Sequence, residues 1–175
     1  MTVKELSETA GVSDAARILV QEDSTPSSYL ETLEKQELYQ DAIRFLAYKL
    51  PVDAGVKWAS ACIKELRSPE SQAQKDEELD AADQWIKTPG DPTRWAAKDA
   101  ADKSKKNGPC TLLAMAVWMS GGSMTKPPAP DTPPPPNVSQ KMIAGSILVI
   151  VVSYEAQKAK ERYKKALAIG KLLDA

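Results

Sequence analysis

Histidine is absent from all 175 residues. That removes Ser-His-Asp and Cys-His nucleophile activation and every imidazole-ligated metal site. Cysteine is nearly absent as well. Cys62 and Cys110 alone make neither a zinc cage nor a disulfide framework, and two unpaired thiols suit a reducing cytoplasm. There is one phenylalanine, and the net charge of −1 supplies no basic field to recruit nucleic acid or acidic lipid. Long apolar runs are missing too. The longest, Met142 to Val152, includes Gly145 and Ser146; as a helix it covers roughly 16 Å, about half a bilayer core, so no membrane span is expected. The first residues carry Glu5 and Glu8 and no apolar stretch, unlike a signal peptide, which again points to the cytoplasm.

What is present is helical. The chain is 42% apolar, enough for one domain to bury a core without staples. Apolar residues recur at helical spacing at Leu38, Ala42, Phe45, Leu46 and Leu50, then at Trp58, Ala59, Cys62, Ile63 and Leu66, with Pro51 between. Two antiparallel helices follow from that pattern. Ser68-Pro69 opens a helix expected to run to about Ile86, with its first half, Glu70 to Glu78, in solvent. Asp91-Pro92 opens another, carrying Trp95, Ala96, Ala100 and Ala101. Cys110 to Met119 is apolar on nearly every side and reads as central. Seven of the thirteen prolines fall in Lys126 to Asn137. This tract reads as an extended connector that crosses the domain, letting a last helix from Val138 run alongside the previous one. That last helix is apolar first and basic later, through Lys158, Lys160, Arg162, Lys164 and Lys165. The expected organisation is a short N-terminal helical pair over 1–24 and an all-α bundle of six to eight helices over 25–175, with the proline-rich crossover at 126–137.

Charge is uneven along the chain. Residues 1–50 hold 5 basic and 9 acidic groups, and residues 138–175 hold 7 basic and 3 acidic. Either the two ends attract one another across the fold, or the basic face meets an acidic partner.

The candidate chemical motifs each fail on context. Ser123-Met124-Thr125-Lys126 has Ser-x-x-Lys spacing, but Pro127 pushes Lys126 out of the helix that would bring amine to hydroxyl. Val3 to Ser13 resembles the opening of a helix-turn-helix, yet the reading helix would offer Asp14, Ala15, Ala16 and a single Arg17. Glu77, Glu78, Asp80 and Asp83 on one helix supply too few ligands for a hard cation and read as a solvated face. Ser120-Gly121-Gly122-Ser123 lacks the spacing of a phosphate loop and reads as a helix stop.

With these segments placed, a family resemblance appears. Asp41-Ala42-Ile43-Arg44-Phe45-Leu46-Ala47, Leu50-Pro51, Val56-Lys57-Trp58-Ala59 with Cys62, and Ala81-Ala82-Asp83-Gln84-Trp85 resemble the first half of an uncharacterised bacterial all-helical family. Trp118-Met119-Ser120-Gly121-Gly122-Ser123, the prolines and Val138 to Val151 resemble its second half. Members of that family often occur near type VI secretion genes, and the resemblance implies a secretion context without catalytic residues. The chain departs from the family at Val52-Asp53, where a basic pair is usual, and at Lys57-Trp58, where two tryptophans are usual.

The expectation is therefore a cytoplasmic, non-enzymatic protein-binding protein. Its role would be that of an adaptor or chaperone for a secretion-system component or effector. The alternatives are an immunity protein against a toxin and a DNA-binding regulator acting through residues 3–20. No cofactor, metal or nucleic acid is expected, and the sequence leaves the oligomeric state open. The candidate partner-binding residues are Trp58, Lys57, Lys158, Arg162 and Lys165.

Overall fold

The helical period governs the whole chain. The computed structural model describes residues 1–72, 75–104 and 107–174, and among them no strand is present. The elements are α1 (Val3–Ala10), α2 (Asp14–Arg17), α3 (Pro26–Lys35), α4 (Tyr39–Lys49), α5 (Val52–Leu66), α6 (Pro69–Gln72), α7 (Glu77–Lys87), α8 (Asp91–Lys103), α9 (Pro109–Trp118), α10 (Val138–Val152) and α11 (Ala159–Leu172). They share one hydrophobic core, so the architecture is a single all-α domain.

Among the described residues eleven α-helices stand in place of the expected six to eight, partly because two long patterns break. The helix expected from Pro69 to Ile86 is α6 and α7, separated by non-helical Lys75 and Asp76; positions 73 and 74 lie outside the described residues. The last helix also breaks. α10 ends at Ser153, whose hydroxyl donates back to Val149 O at 2.6 Å, and Glu155 takes a left-handed φ of 48°. The segment Ala156–Leu172 then leaves at 114° to α10. The break has a packing reason. A straight continuation would carry Tyr163, Ala166 and Leu167 away from the body, whereas the bend buries all three. No single helix among the described residues is long and apolar enough to cross a membrane.

The central pair is α9 and α10, but the proline tract does not cross the domain. Ser139, at the start of α10, donates to Ala116 O near the end of α9, and Ser146 donates to Pro109 O at its start, both at 2.8 Å. The two helices are therefore antiparallel. Their connector folds back on itself: Met124 N–H donates to Thr132 O at 2.7 Å, and Thr132 N–H donates to the Ser123 hydroxyl at 3.0 Å. Proline lacks an N–H, so this loop has few donors to satisfy, and those bonds close it locally.

Around this pair, α9 packs on α5, α7 and α8, and α10 packs on α4, α5 and α11. The buried face of α8 is Arg94, Ala97 and Ala101, while Ala96 is exposed and Trp95 half-buried. Of the apolar residues read on this helix, Ala101 is buried and Ala96 is not. Residues 1–24 pack onto the same core through Val3, Leu6, Ala10 and Ala16. They are tied down by buried Asp41, which accepts from the Ser13 N–H and hydroxyl, both at 2.8 Å.

Of the two charge readings, attraction between the chain's ends is realised. Lys160 pairs with Glu37, and Lys171 with Glu34 at 2.6 Å; Lys49 with Asp174 joins the same two segments with the signs reversed.

A tight approach brings α11 against α5 at Gly170. The Trp58 indole N–H donates to Ala166 O at 2.7 Å. A Cβ on Gly170 would stand 2.6 Å from Trp58 Cε2 and 2.8 Å from Leu46 Cδ2. Gly→Ala inside a helix ordinarily gains up to about 1 kcal/mol. Here the fixed indole leaves no room, so Gly170→Ala is expected to cost about 1–2 kcal/mol through overpacking. Urea denaturation reads this directly, and a stabilised variant would contradict the packing described.

Candidate functional site

Two apolar helices at the centre of a fold need their end carbonyls satisfied, and neither α9 nor α10 has a basic residue in its last turn. Arginines from other helices do the work. Arg94 at the start of α8, 3% exposed, donates from Nη1 to Trp118 O and from Nη2 to Ser123 O, both at 2.8 Å, with Nε on Asp91 at 3.0 Å. Arg162 of α11, 8% exposed, donates from Nη2 to Ile150 O (2.7 Å) and Leu66 O (2.6 Å), and from Nε to Val151 O (2.6 Å). It thereby ties the ends of α10 and α5 together. Burial lowers the Arg162 pKa from its ordinary value, opposed by nearby Glu155 and Tyr154.

The Trp118 to Ser123 motif follows from this geometry. Its carbonyls receive a guanidinium, the reverse of an anion cradle. Gly122 has φ +65°, and a Cβ there would sit 2.8 Å from Arg94 Nη2. Ser123 and Lys126 are engaged separately: the Ser123 hydroxyl bonds that of Thr125 at 2.9 Å, and Lys126 Nζ lies 4.4 Å over the Trp95 ring.

The helix pair is not enclosed on every side. Its outer face carries Leu112, Met115 and Met119 of α9 and the turn after it, with Met142, Val149 and Val152 of α10, all partly or fully exposed. A shallow depression of about 250 Å³ lies there, lined by Asn107, Thr111, Leu112, Met115 and Met142. Gly145 lies under Leu112, whose Cδ1 would be 3.7 Å from an added Cβ.

A second region occupies the corner where α5, α6, α9 and the α10–α11 bend meet. A cavity of about 300 Å³ is lined by Arg67, Asp76, Glu78, Cys110 and Tyr154 among others. Arg67 Nη2 pairs with Asp76 at 2.9 Å. Beside it runs a charged groove of about 330 Å³ that includes Glu65, Lys158, Glu161, Arg162 and Lys165. Burial pushes the Cys110 thiol up to about 11 and the Cys62 thiol up to about 12, so both stay protonated at neutral pH.

The sequence candidates divide accordingly. Lys57, Lys158 and Lys165 are exposed and paired with Asp53, Glu155 and Glu65. Trp58 is fully buried and Arg162 nearly so, which corrects their placement on a partner-facing surface. Their polar atoms already serve the fold. Among the acidic residues of α7, Glu77 and Asp80 are exposed, but Glu78 is buried, which corrects the solvated-face reading for that position. α2 is a single turn whose Arg17 pairs with Asp14. Arg94 and Glu78 are not read as buried groups from sequence, because a charge on a helix reads as outward-facing.

Residues 29–173 match the model of a family of unknown function, DUF6931, and the chain belongs to that family. No curated protein and no solved structure matches it.

Proposed function

We propose that this DUF6931 member is a cytoplasmic, non-catalytic protein-binding protein, an adaptor or chaperone for a component or effector of a bacterial type VI secretion system. The observation that carries the binding role is the apolar outer face of the α9–α10 pair, with Leu112, Met115 and Met142 around a shallow depression. Methionine side chains adapt to partner shape, and partly exposed apolar residues gathered around a depression support an interaction site there. A client's apolar helix or strand laid on this face would be covered until delivered. The absence of histidine and the protonated state of both thiols favour capture over catalysis. The secretion context rests on the resemblance carried by Trp118 to Ser123, the prolines and the apolar helix that follows.

The test is co-expression with the products of adjacent genes. One product is expected to co-purify, and Met142→Gln, which removes the apolar contact without placing a charge against the core, is expected to reduce its recovery at least about tenfold while keeping the wild-type circular dichroism spectrum. Failure to enrich any neighbour, or equal recovery by Met142→Gln, would reject the role of this face. Rescue of cells expressing an adjacent toxin would replace the adaptor reading with an immunity role.

A further inference from the structure

We infer that the corner cavity where α5, α6, α9 and the α10–α11 bend meet binds a small neutral carbonyl compound, an amide on a short alkyl stem, whose oxygen accepts from the Arg67 Nε–H. This stands apart from the partner-binding face, on different residues.

The Arg67 side chain is 10% exposed and lines the cavity. Two of its three nitrogens are engaged: Nη1 donates to Ser71 O at 3.1 Å, and Nη2 donates to Asp76 Oδ2 at 2.9 Å. Nε is buried and, among the described residues, has no hydrogen-bond partner. A buried donor without an acceptor is costly, and an acceptor brought to it relieves that cost. The planar guanidinium fixes where Nε–H points, off the edge it shares with Nη2. Nη2 faces Asp76 and, at 3.8 Å, the Cys110 thiol, both in the cavity wall. That edge is therefore the one turned to the cavity. Cys110 is half-buried and meets Nη2 only through this long, weak contact, so a small outward turn of its side chain seats an acceptor on Nε.

The rest of the wall selects the kind of acceptor. Asp76 already balances the Arg67 charge, and Glu70 and Glu78 add two further acids to the lining. Glu78 is itself engaged by the Thr111 hydroxyl, at 3.3 Å. A carboxylate or phosphate brought to Nε would meet that negative field, so the acceptor is a neutral one. Ile63, Pro109 and Ile150 give the cavity an apolar side for an alkyl stem. The volume of about 300 Å³ lies at the small end of ligand pockets.

Hexanamide is the probe, with hexanoate and hexylammonium as controls that keep an alkyl stem of similar length and change the charge of the head. The readout is the Arg67 Nε–H signal in proton–nitrogen NMR of the full chain, assigned through bonds from the Arg67 backbone. Hexanamide is expected to shift this signal saturably and to slow its exchange with solvent. Both controls are expected to bind at least about tenfold more weakly, hexanoate because the acids repel it and hexylammonium because it brings no acceptor. Arg67→Lys keeps a cation beside Asp76 but has no donor at the Nε position. It should weaken hexanamide binding in titration calorimetry at least about tenfold while keeping the wild-type circular dichroism spectrum. If that variant fails to fold, the wild-type titration decides alone. No saturation by hexanamide up to about 10 mM, an Nε–H signal that stays in place while hexanamide binds, either control binding as tightly as hexanamide, or undiminished binding by a folded Arg67→Lys would each overturn the proposal.

Discussion

Arg162→Met should destabilise the protein by about 4 kcal/mol, because three carbonyls, those of Leu66, Ile150 and Val151, lose their charged donor at once. Methionine keeps much of the side-chain volume, so the effect reports the hydrogen bonds rather than a cavity. Domains of this kind are stable by about 5–15 kcal/mol, so the loss is a large fraction of the total. The melting temperature should fall by roughly 10 °C. Arg162→Lys should recover only part of the loss, since one ammonium does not reproduce the planar fork that reaches two helix ends. A loss below about 1 kcal/mol in urea denaturation would mean that the C-termini of α5 and α10 hold together without it.

The second large effect is expected at the opposite end of the hairpin. Arg94→Met removes the donors to Trp118 O and Ser123 O and should cost about 3 kcal/mol. Gly122→Ala should cost about 2 kcal/mol, from a left-handed backbone and from the methyl group's collision with the guanidinium. Both changes act on one contact, so the double variant should fall short of the sum by at least about 0.5 kcal/mol. Strict additivity would show that Gly122 is needed for its backbone conformation alone.

These two arginines also mark where the sequence was silent. The centre of the fold was legible: α9 and α10 are apolar on nearly every side, and such helices go inside. Even so, their outer face is only half covered, which a one-dimensional pattern does not show. The helix ends at Pro51, Pro69 and Pro92 were legible from local sterics. The direction of α10 was not. A proline tract taken as extended spans a domain, but here the hydroxyl of Ser123 and the backbone of Thr132 close it into a loop, and α10 returns beside α9. Arg94 and Arg162 stand in register with the buried Ala97 and Ala101 and the buried Ala166 and Gly170, but their charge reads as outward-facing, and what keeps them inside is a set of orphaned carbonyls elsewhere in the chain. The same holds for Glu78, whose neighbours Glu77 and Asp80 are exposed as expected. The partner-facing candidates were mixed for a related reason. Trp58 is among the partner-binding candidates, but its indole N–H finds its acceptor within the fold, at Ala166 O.

Hydrogen exchange followed by mass spectrometry, comparing wild type with Arg162→Met, tests the central claim that the apolar hairpin is held at its ends by arginines from other helices. The wild type should exchange most slowly in α9 and α10. In the variant, exchange should accelerate first in the last turns of α10 and α5, with the start of α9 and the Trp118 to Ser123 loop following only at global unfolding. Uniform acceleration across the chain, or unchanged protection at those two helix ends, would contradict it.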